Sequence, residues 1–338
     1  MIRIHLSAED ITHTRFAFSG LWEVISSYRC LINPDRHALH LPWIHQAHES
    51  LRGLDLSLLG ALVRRVTLGP STPDMGLYTP DFLTPPPTTP LPDFQAELEA
   101  LRQTPAEILA HEVSRAYENE TQVAEAARPY LSDPQSTLNQ LAELLARYWD
   151  CVIAPYWPRL RALLEGDVLY RAYKLATEGP QSMFADLHPL VSFASGTLEI
   201  NKSREDDVRP NGGGLLLIPV VFSWPNLYVI TDSPWPPTLA YSPRGVGGLW
   251  IEDRPPTSEG LKLFLGEIRA QLKKCLLVPS TTGQLAQQLG VTPGAISQQL
   301  TQLKKSGLVE SYRRGRHVFH RLNDAGHCLL RVFETEDI

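Results

Sequence analysis

Within one short stretch the chain places the hydroxyl and amide side chains of Ser297, Gln298, Gln299 and Thr301, followed by Lys304 and, further on, by Arg313, Arg314 and Arg316. A carboxamide offers a donor beside an acceptor, the arrangement that pairs with the N6/N7 edge of adenine, while lysine and arginine supply charge to phosphate. The chemistry is therefore noncovalent recognition of a polyanion that also presents base edges. The neighbouring residues show which elements must hold these groups. Thr281 stands three residues before Gln284, the reciprocal capping-box spacing of a helix start, and Leu285, Ala286 and Leu289 fall on one face of that helix. Gly290 supplies the backbone freedom for a sharp turn. Thr292 before Pro293 is a second start signal, a hydroxyl cap with proline at the first helical position. In the second helix Ile296, Leu300 and Leu303 face inward, which leaves Gly294, Ala295, Ser297, Gln298 and Thr301 for the outer faces. Lys304 and Lys305 lie in its last turn and Gly307 is placed to end it. Two strands, 308–313 and 317–322, then surround a charged tip of Arg314, Gly315 and Arg316. Helix, turn, helix and basic hairpin together read as a winged helix that touches DNA, with Thr281, Thr292, Gly294, Ala295, Ser297, Gln298, Gln299, Thr301, Lys304, Arg313, Arg314 and Arg316 as the expected contacts.

These residues resemble the ArsR/SmtB family of winged-helix repressors, through Val291-Thr-Pro-Gly-Ala-Ile-Ser-Gln-Gln-Leu300, then Leu303, Ser306-Gly-Leu-Val309 and the Gly-Arg wing tip. That family usually has histidine where this chain has Gln299. The resemblance implies a dimeric regulator on an inverted-repeat operator. A helix through Leu261, Leu265, Ile268 and Leu272 precedes the motif, as the first family helix does, and Leu329, Leu330, Val332 and Phe333 form an apolar patch after it. Leu261, Leu265, Ile268, Leu272, Leu329, Leu330 and Phe333 are thus the expected dimer contacts; completion of the monomer core is the alternative. The family's thiolate metal box lies in the first helix of the helix-turn-helix, and the corresponding segment here has no cysteine.

Charge divides the chain in the same place. The formal net charge of −6 over 338 residues would argue against nucleic acid if spread evenly. Residues 268–331, however, hold ten Lys/Arg against two Asp/Glu, so the remainder is net −14. A basic module on an acidic body is expected when only one end approaches phosphate. Cys30, Cys151, Cys275 and Cys328 are scattered, with no C-x-x-C pair, which fits a reducing cytoplasm and indicates neither disulfides nor zinc. The first ten residues alternate like a strand and lack the apolar core of a secretory signal. The longest strongly apolar run, 215–222, is far short of the roughly 20 residues needed to cross a bilayer, so no membrane partner is expected.

The polar, proline-bearing stretch 253–259 places a boundary near residue 258. Residues 1–258 are expected to form one mixed body: strand then helix at the start, an extended proline-rich strap over 70–92 pinned by Leu77, Tyr78, Phe82 and Leu83, helices to about residue 185, and an antiparallel sheet over 188–250. The fold class is α+β, a helix-rich and antiparallel-sheet body (1–258) followed by a winged helix (259–338). Several phrases resemble the poorly characterised domain that precedes the winged helix in actinobacterial-type ArsR-like regulators: Leu41-Pro-Trp43, the segment from Pro80 to Pro87, Tyr156-Trp-Pro-Arg-Leu160, Gly166-Asp-Val168 and the stretch from Pro237 to Trp250. That resemblance conveys architecture and little biochemistry.

Other constellations carry less. His37, His40, His45 and His48 have the i, i+3 spacing of metal ligands, but Pro42 interrupts the helix and cysteine is lacking, so hydrogen-bonded or surface histidines are the better reading. Asp324 and His327 lack the later histidine of the family's other zinc position. Gly212-Gly-Gly214 lacks the strand-to-helix context of a nucleotide fingerprint and reads as a flexible turn. The carboxylate pairs Asp206/Asp207 and Glu97/Glu99 suit any acidic surface, and no ordered nucleophile, base and acid set appears. No enzyme, cofactor or metal is expected. The body is expected to sense a small organic molecule in a pocket walled by aromatic residues such as Trp22, Trp43, Tyr78, Trp157, Trp224 and Trp250. The alternatives are a ligand-free body used for dimerisation or protein contacts, and an enzyme with an accessory winged helix.

Overall fold

The computed structural model describes residues 1–67, 75–117, 123–232, 234–250, 272, 275–276, 279–314, 317–323 and 325–326, with the backbone alone at 65–67, 75–77, 314 and 317. Leu261, Leu265, Ile268, Leu329, Leu330, Phe333, Arg316, Asp324, His327 and the boundary near 258 lie outside the described residues.

The helical part of the body comprises α1 (Ala8–His13), α2 (Gly20–Ile32), α3 (Leu41–Ser50), α4 (Ser57–Leu62), α5 (Phe94–Arg102), α6 (Ala106–Ala116), α7 (Pro129–Ser132), α8 (Pro134–Val152), α9 (Trp157–Glu178) and α10 (Pro180–Ala185). Proline repeatedly occupies the first turn, where its missing N–H costs nothing, as at Pro134 and Pro180. Pro42 does the same: it begins α3 rather than interrupting it. The central helix α2 is buried along nearly its whole length, because Leu21, Val24, Ile25 and Leu31 pack into the helical core while Trp22 turns to a separate apolar cluster with Ile218 and Ala240. The strap is pinned by buried Phe82 and Leu83 and by Tyr78, whose hydroxyl donates to Glu112 Oε2 at 2.8 Å.

The expected antiparallel sheet is instead two mixed four-stranded sheets, each completed by a strand from the first sixteen residues. In one, β1 (Ile2–His5) lies between β6 (Thr197–Ile200), antiparallel with Ile2 opposite Ile200, and β7 (Asp206–Val208), parallel; β5 (Val191–Ala194) is the outer strand. In the other, β2 (Arg15–Phe16), β8 (Leu216–Pro219) and β10 (Thr238–Tyr241) run parallel and β9 (Tyr228–Ile230) closes the edge antiparallel. Alternation puts Ile2, Ile4, Leu198, Ile200, Leu217, Leu239 and Tyr241 into one core between the sheets. A hairpin, β3 (Arg64–Thr67) with β4 (Met75–Tyr78), stands apart. Gly212 and Gly214 are more than a flexible turn: their N–H groups donate to Asp10 Oδ1 at 2.7 and 3.2 Å, and a Cβ at Gly214 would meet the His13 carbonyl carbon at 2.4 Å.

The carboxyl-terminal unit contains β11 (Ser280–Thr281), α11 (Thr282–Leu289), α12 (Pro293–Lys305), β12 (Val309–Arg314) and β13 (His317–Leu322). Strand β11 pairs with β13 and makes the wing a three-stranded sheet, an addition that the hairpin pattern in the sequence did not announce. The described helices include none long and apolar enough to cross a membrane.

Candidate nucleic-acid interface

Local chemistry fixes the two helices. Thr281 Oγ1 accepts the Gln284 N–H while Gln284 Oε1 accepts the Thr281 N–H at 2.7 Å, a complete capping box. Gly290 adopts φ 66°, and Val291 N–H returns to Ala286 O at 3.0 Å, closing the turn. Thr292 caps α12 through the Ala295 N–H. Ile296, Leu300 and Leu303 are buried, and Gly307 at φ 70° ends the helix, with Leu308 N–H donating to Leu303 O at 3.0 Å.

This packing leaves Thr292, Gly294, Ser297, Gln298, Thr301 and Lys304 exposed, with Ala295 and Gln299 half-buried. Gln302 and Lys305, four and seven residues after Gln298, are exposed on the same stripe and join the set. The signal for them was available in the helical period. Thr301 donates its hydroxyl to Ser297 O at 2.8 Å. Thr281 is set apart from this stripe, since its hydroxyl is committed to the cap and its residue lines a cleft facing the body. On the wing Arg313 is exposed; Arg314 is placed by its backbone. Tyr312 stacks on Phe319 with ring centroids 5.8 Å apart, and Arg321 lies over the Tyr312 ring. His320, unremarked in the sequence, fastens the wing to α11: its Nε2 is 3.1 Å from Thr282 Oγ1 and its Nδ1 2.6 Å from Ser311 Oγ. Burial and the Lys304 charge lower its pKa, which favours the neutral ring.

The unit is docked on the body. Gln287 Nε2 donates to Leu187 O at 2.9 Å and to Ser242 O at 3.0 Å, and Gly245 N–H donates to Gln287 O at 2.9 Å. Behind this seam Asp167 and Arg171 form a fully buried pair at 2.9 Å, while Tyr241 and the Arg244 N–H also donate to Asp167. Arg244 Nη1 meets Asp186 Oδ2 at 2.7 Å. A cleft of about 500 Å³ opens between Asp186, His188 and Arg244 on one side and Thr282, Val291 and Pro293 on the other. It therefore abuts the first turn of α12.

The six aromatic residues expected to wall an effector pocket are not brought together. Trp43 is in the core beside Phe222, at 4.5 Å between centroids, with its Nε1 donating to Val152 O; Trp224 is buried in the same core. Trp250 packs on Tyr156 and donates to His40 Nδ1 at 3.0 Å. Trp157 packs on Trp149, and Trp22 and Tyr78 border two different cavities. Indole area is most useful to the fold inside the core, and the fold uses it there. Leu272, expected at a dimer contact, is wholly buried in the same core as Leu276 and Leu285. Buried His37 bonds Trp224 O and buried His40 bonds Trp250, whereas His45 and His48 are exposed, so the four histidines do not converge.

Residues 276–311 match the family described as bacterial regulatory protein, arsR family, and residues 88–245 match a family of unknown function, DUF5937. The chain is 42% identical over 84 residues to the biofilm growth-associated repressor of Xylella fastidiosa strain Temecula1, covering 23% of this chain and 73% of that protein. It is also 42% identical over 67 residues to the biofilm growth-associated repressor of strain 9a5c, covering 19% of this chain and 58% of that one. No solved structure matches. Capped helices, tight turn, paired wing and a relative matched over most of its length agree, and the chain belongs to the ArsR family of bacterial regulatory proteins.

Proposed function

We propose that the protein is a cytoplasmic, homodimeric transcriptional repressor that reads an inverted-repeat operator through α12 and the wing, and that its body senses a small organic effector rather than catalysing a reaction. The observation that carries the DNA reading is the exposed stripe of Ser297, Gln298, Thr301, Gln302 and Lys305 on a helix capped at its start and ended by Gly307. Such a helix presents amides to base edges without paying for its own ordering on contact. The relatives named as repressors favour repression over activation. The sensing reading draws support from the docking of the winged helix on the body: an effector can regulate only if it binds the DNA-free and DNA-bound forms unequally, and a cleft against α12 gives a place where that inequality could arise.

Enrichment of genomic fragments by the purified protein, followed by footprinting and sedimentation, tests this directly. The expected result is a near-palindromic site whose halves lie about 34 Å apart, occupied by two chains. Gln298→Ala should then flatten preference among operator variants by roughly 1–3 kcal/mol while the fold persists. A monomer on an asymmetric site, or unchanged discrimination in the variant, would overturn the reading.

A further inference from the structure

A second cavity, of about 410 Å³, lies inside the body, where the end of α2, the turn after β6 and strand β9 converge. Arg29, Arg36, Lys202 and Arg204 line it together with His37, and no carboxylate is among its described lining residues. Arg204 is answered by Asp206 at 2.8 Å and Asp232 at 2.7 Å. Lys202 is different. Its Nζ donates to the Leu227 carbonyl at 2.7 Å and it has no ion pair with a described carboxylate. An ammonium drawn out of water toward other cations is costly unless an anion arrives to meet it. The local field shows the same excess: burial first, then the Arg29 charge, lowers the Lys202 pKa, and burial with Arg29 and Arg36 brings His37 down to about 4. A smaller neighbouring cavity shares Arg29 and Thr79 and contains Asp81, whose carboxyl is raised to about 6 by burial and by the charges of Glu112 and Asp232.

We propose that the larger cavity is a recognition site for a small organic anion, its carboxylate or phosphoryl oxygens meeting Lys202, Arg29 and Arg36 and its apolar part lying against Leu227 and Tyr228. The volume suits a metabolite-sized molecule. Arg29 is already set for this role, since its guanidinium stacks 4.9 Å from the Tyr228 ring centroid and donates to Thr79 Oγ1. The site also has a route toward the winged helix. His37 begins the turn Ala38–His40, and His40 accepts the Trp250 indole N–H at 3.0 Å; Trp250 belongs to the same apolar core as Leu285 and Ile296 of the winged helix.

This proposal rests on the sensing reading for its purpose but not for its chemistry, and the experiment separates them. Inorganic phosphate and benzoate are titrated against the full-length protein by calorimetry and thermal melting; the first probes a phosphoryl group, the second an aromatic carboxylate. At least one should bind saturably, with affinity weakened at least tenfold in Lys202→Gln and at least threefold in Arg36→Gln, at an exposed position. Lys174→Gln, which removes a half-buried cation paired with Glu178 on α9, away from the cavity lining, should leave binding unchanged. Binding of neither anion, or equal binding by wild type, Lys202→Gln and Arg36→Gln, overturns the site. If an anion binds here while operator affinity does not move, the site stands and the sensing reading fails; if an uncharged inducer releases the operator while neither anion binds, the sensing reading stands and the site falls.

Discussion

His188 sits at the wall of the cleft with both ring nitrogens engaged: Nδ1 accepts the Leu190 N–H at 3.1 Å, and Nε2 is 3.2 Å from Pro225 O, to which it donates. A second ring proton would face the Leu190 donor. Burial, with the Lys202 charge, lowers the pKa of His188 to about 4 from an ordinary 6.5, and His37 is lowered to about 4 as well. A histidine whose folded value is depressed contributes stability that is whole above about 6.5 and is lost as pH falls through that value toward 4. The difference in urea midpoint between wild type and His188→Asn should therefore shrink steadily from pH 7 to pH 4; a constant difference would show that the ring is not held neutral. At this scale the sequence was informative about Gln298, Ser297 and Lys304, whose exposure follows from the helical period. It was silent about Glu97, read as an ordinary surface acid, because only its distant partners make it otherwise.

Glu97 belongs to α5 but caps α2. Its Oε2 accepts the Gly20 and Leu21 N–H groups at 2.9 and 3.2 Å and its Oε1 accepts the Ser19 hydroxyl, while Ser19 Oγ takes the Trp22 N–H. The first turn of the most buried helix is thus satisfied from another helix. Glu97→Ala would strand these donors without water, and unfolding at pH 7.5 should show a loss of roughly 2–3 kcal/mol; a loss under half of that would mean that α2 finds other acceptors. Glu23 does the converse, leaving α2 to accept the Val221 and Phe222 N–H groups at 2.7 and 3.2 Å. The wing makes a different kind of prediction. Arg314 and Arg316 flank its tip in sequence, so replacing both by alanine should weaken every operator together and flatten the salt dependence of affinity by about 0.9 for each phosphate that is no longer neutralised. An unaltered slope would remove the tip from the interface.

For the molecule as a whole the consequential feature is that winged helix and body share one apolar core, from Leu160 and Leu164 on α9 through Val246 and Leu249 to Leu285 and Ile296. The hydrogen bonds of Gln287 hold this seam, whereas neighbouring Gln288 is buried with neither amide atom bonded to a described residue. Docking is therefore stabilised by the side chain of Gln287. Gln287→Ala should raise amide exchange across α11 by about tenfold, the effect of losing roughly 1.4 kcal/mol, with wing protection retained. Exchange unchanged within twofold would show that apolar packing alone keeps the units together. The phrases that had marked the body by resemblance also acquire physical roles here: Asp167 and Arg244 are the two ends of the network behind the seam.

The sequence by itself determined the winged helix, the electrical division of the chain and the helix-rich character of the middle of the body. Caps, turn glycines and the i, i+4 period encode contacts between residues a few positions apart, so they can be read without knowing where the rest of the chain goes. Tertiary structure alone decided the sheets, where Ile2 pairs with Ile200, the cap that Glu97 gives α2, the dispersal of the tryptophans into the core and the meeting of Arg29, Lys202 and Tyr228 around one cavity. A strand carries no local record of its partner, and a cation none of the charges it will face. Both are set when burial of apolar surface brings remote segments together, a driving force that depends on area removed from water rather than on which residues lie next in the chain.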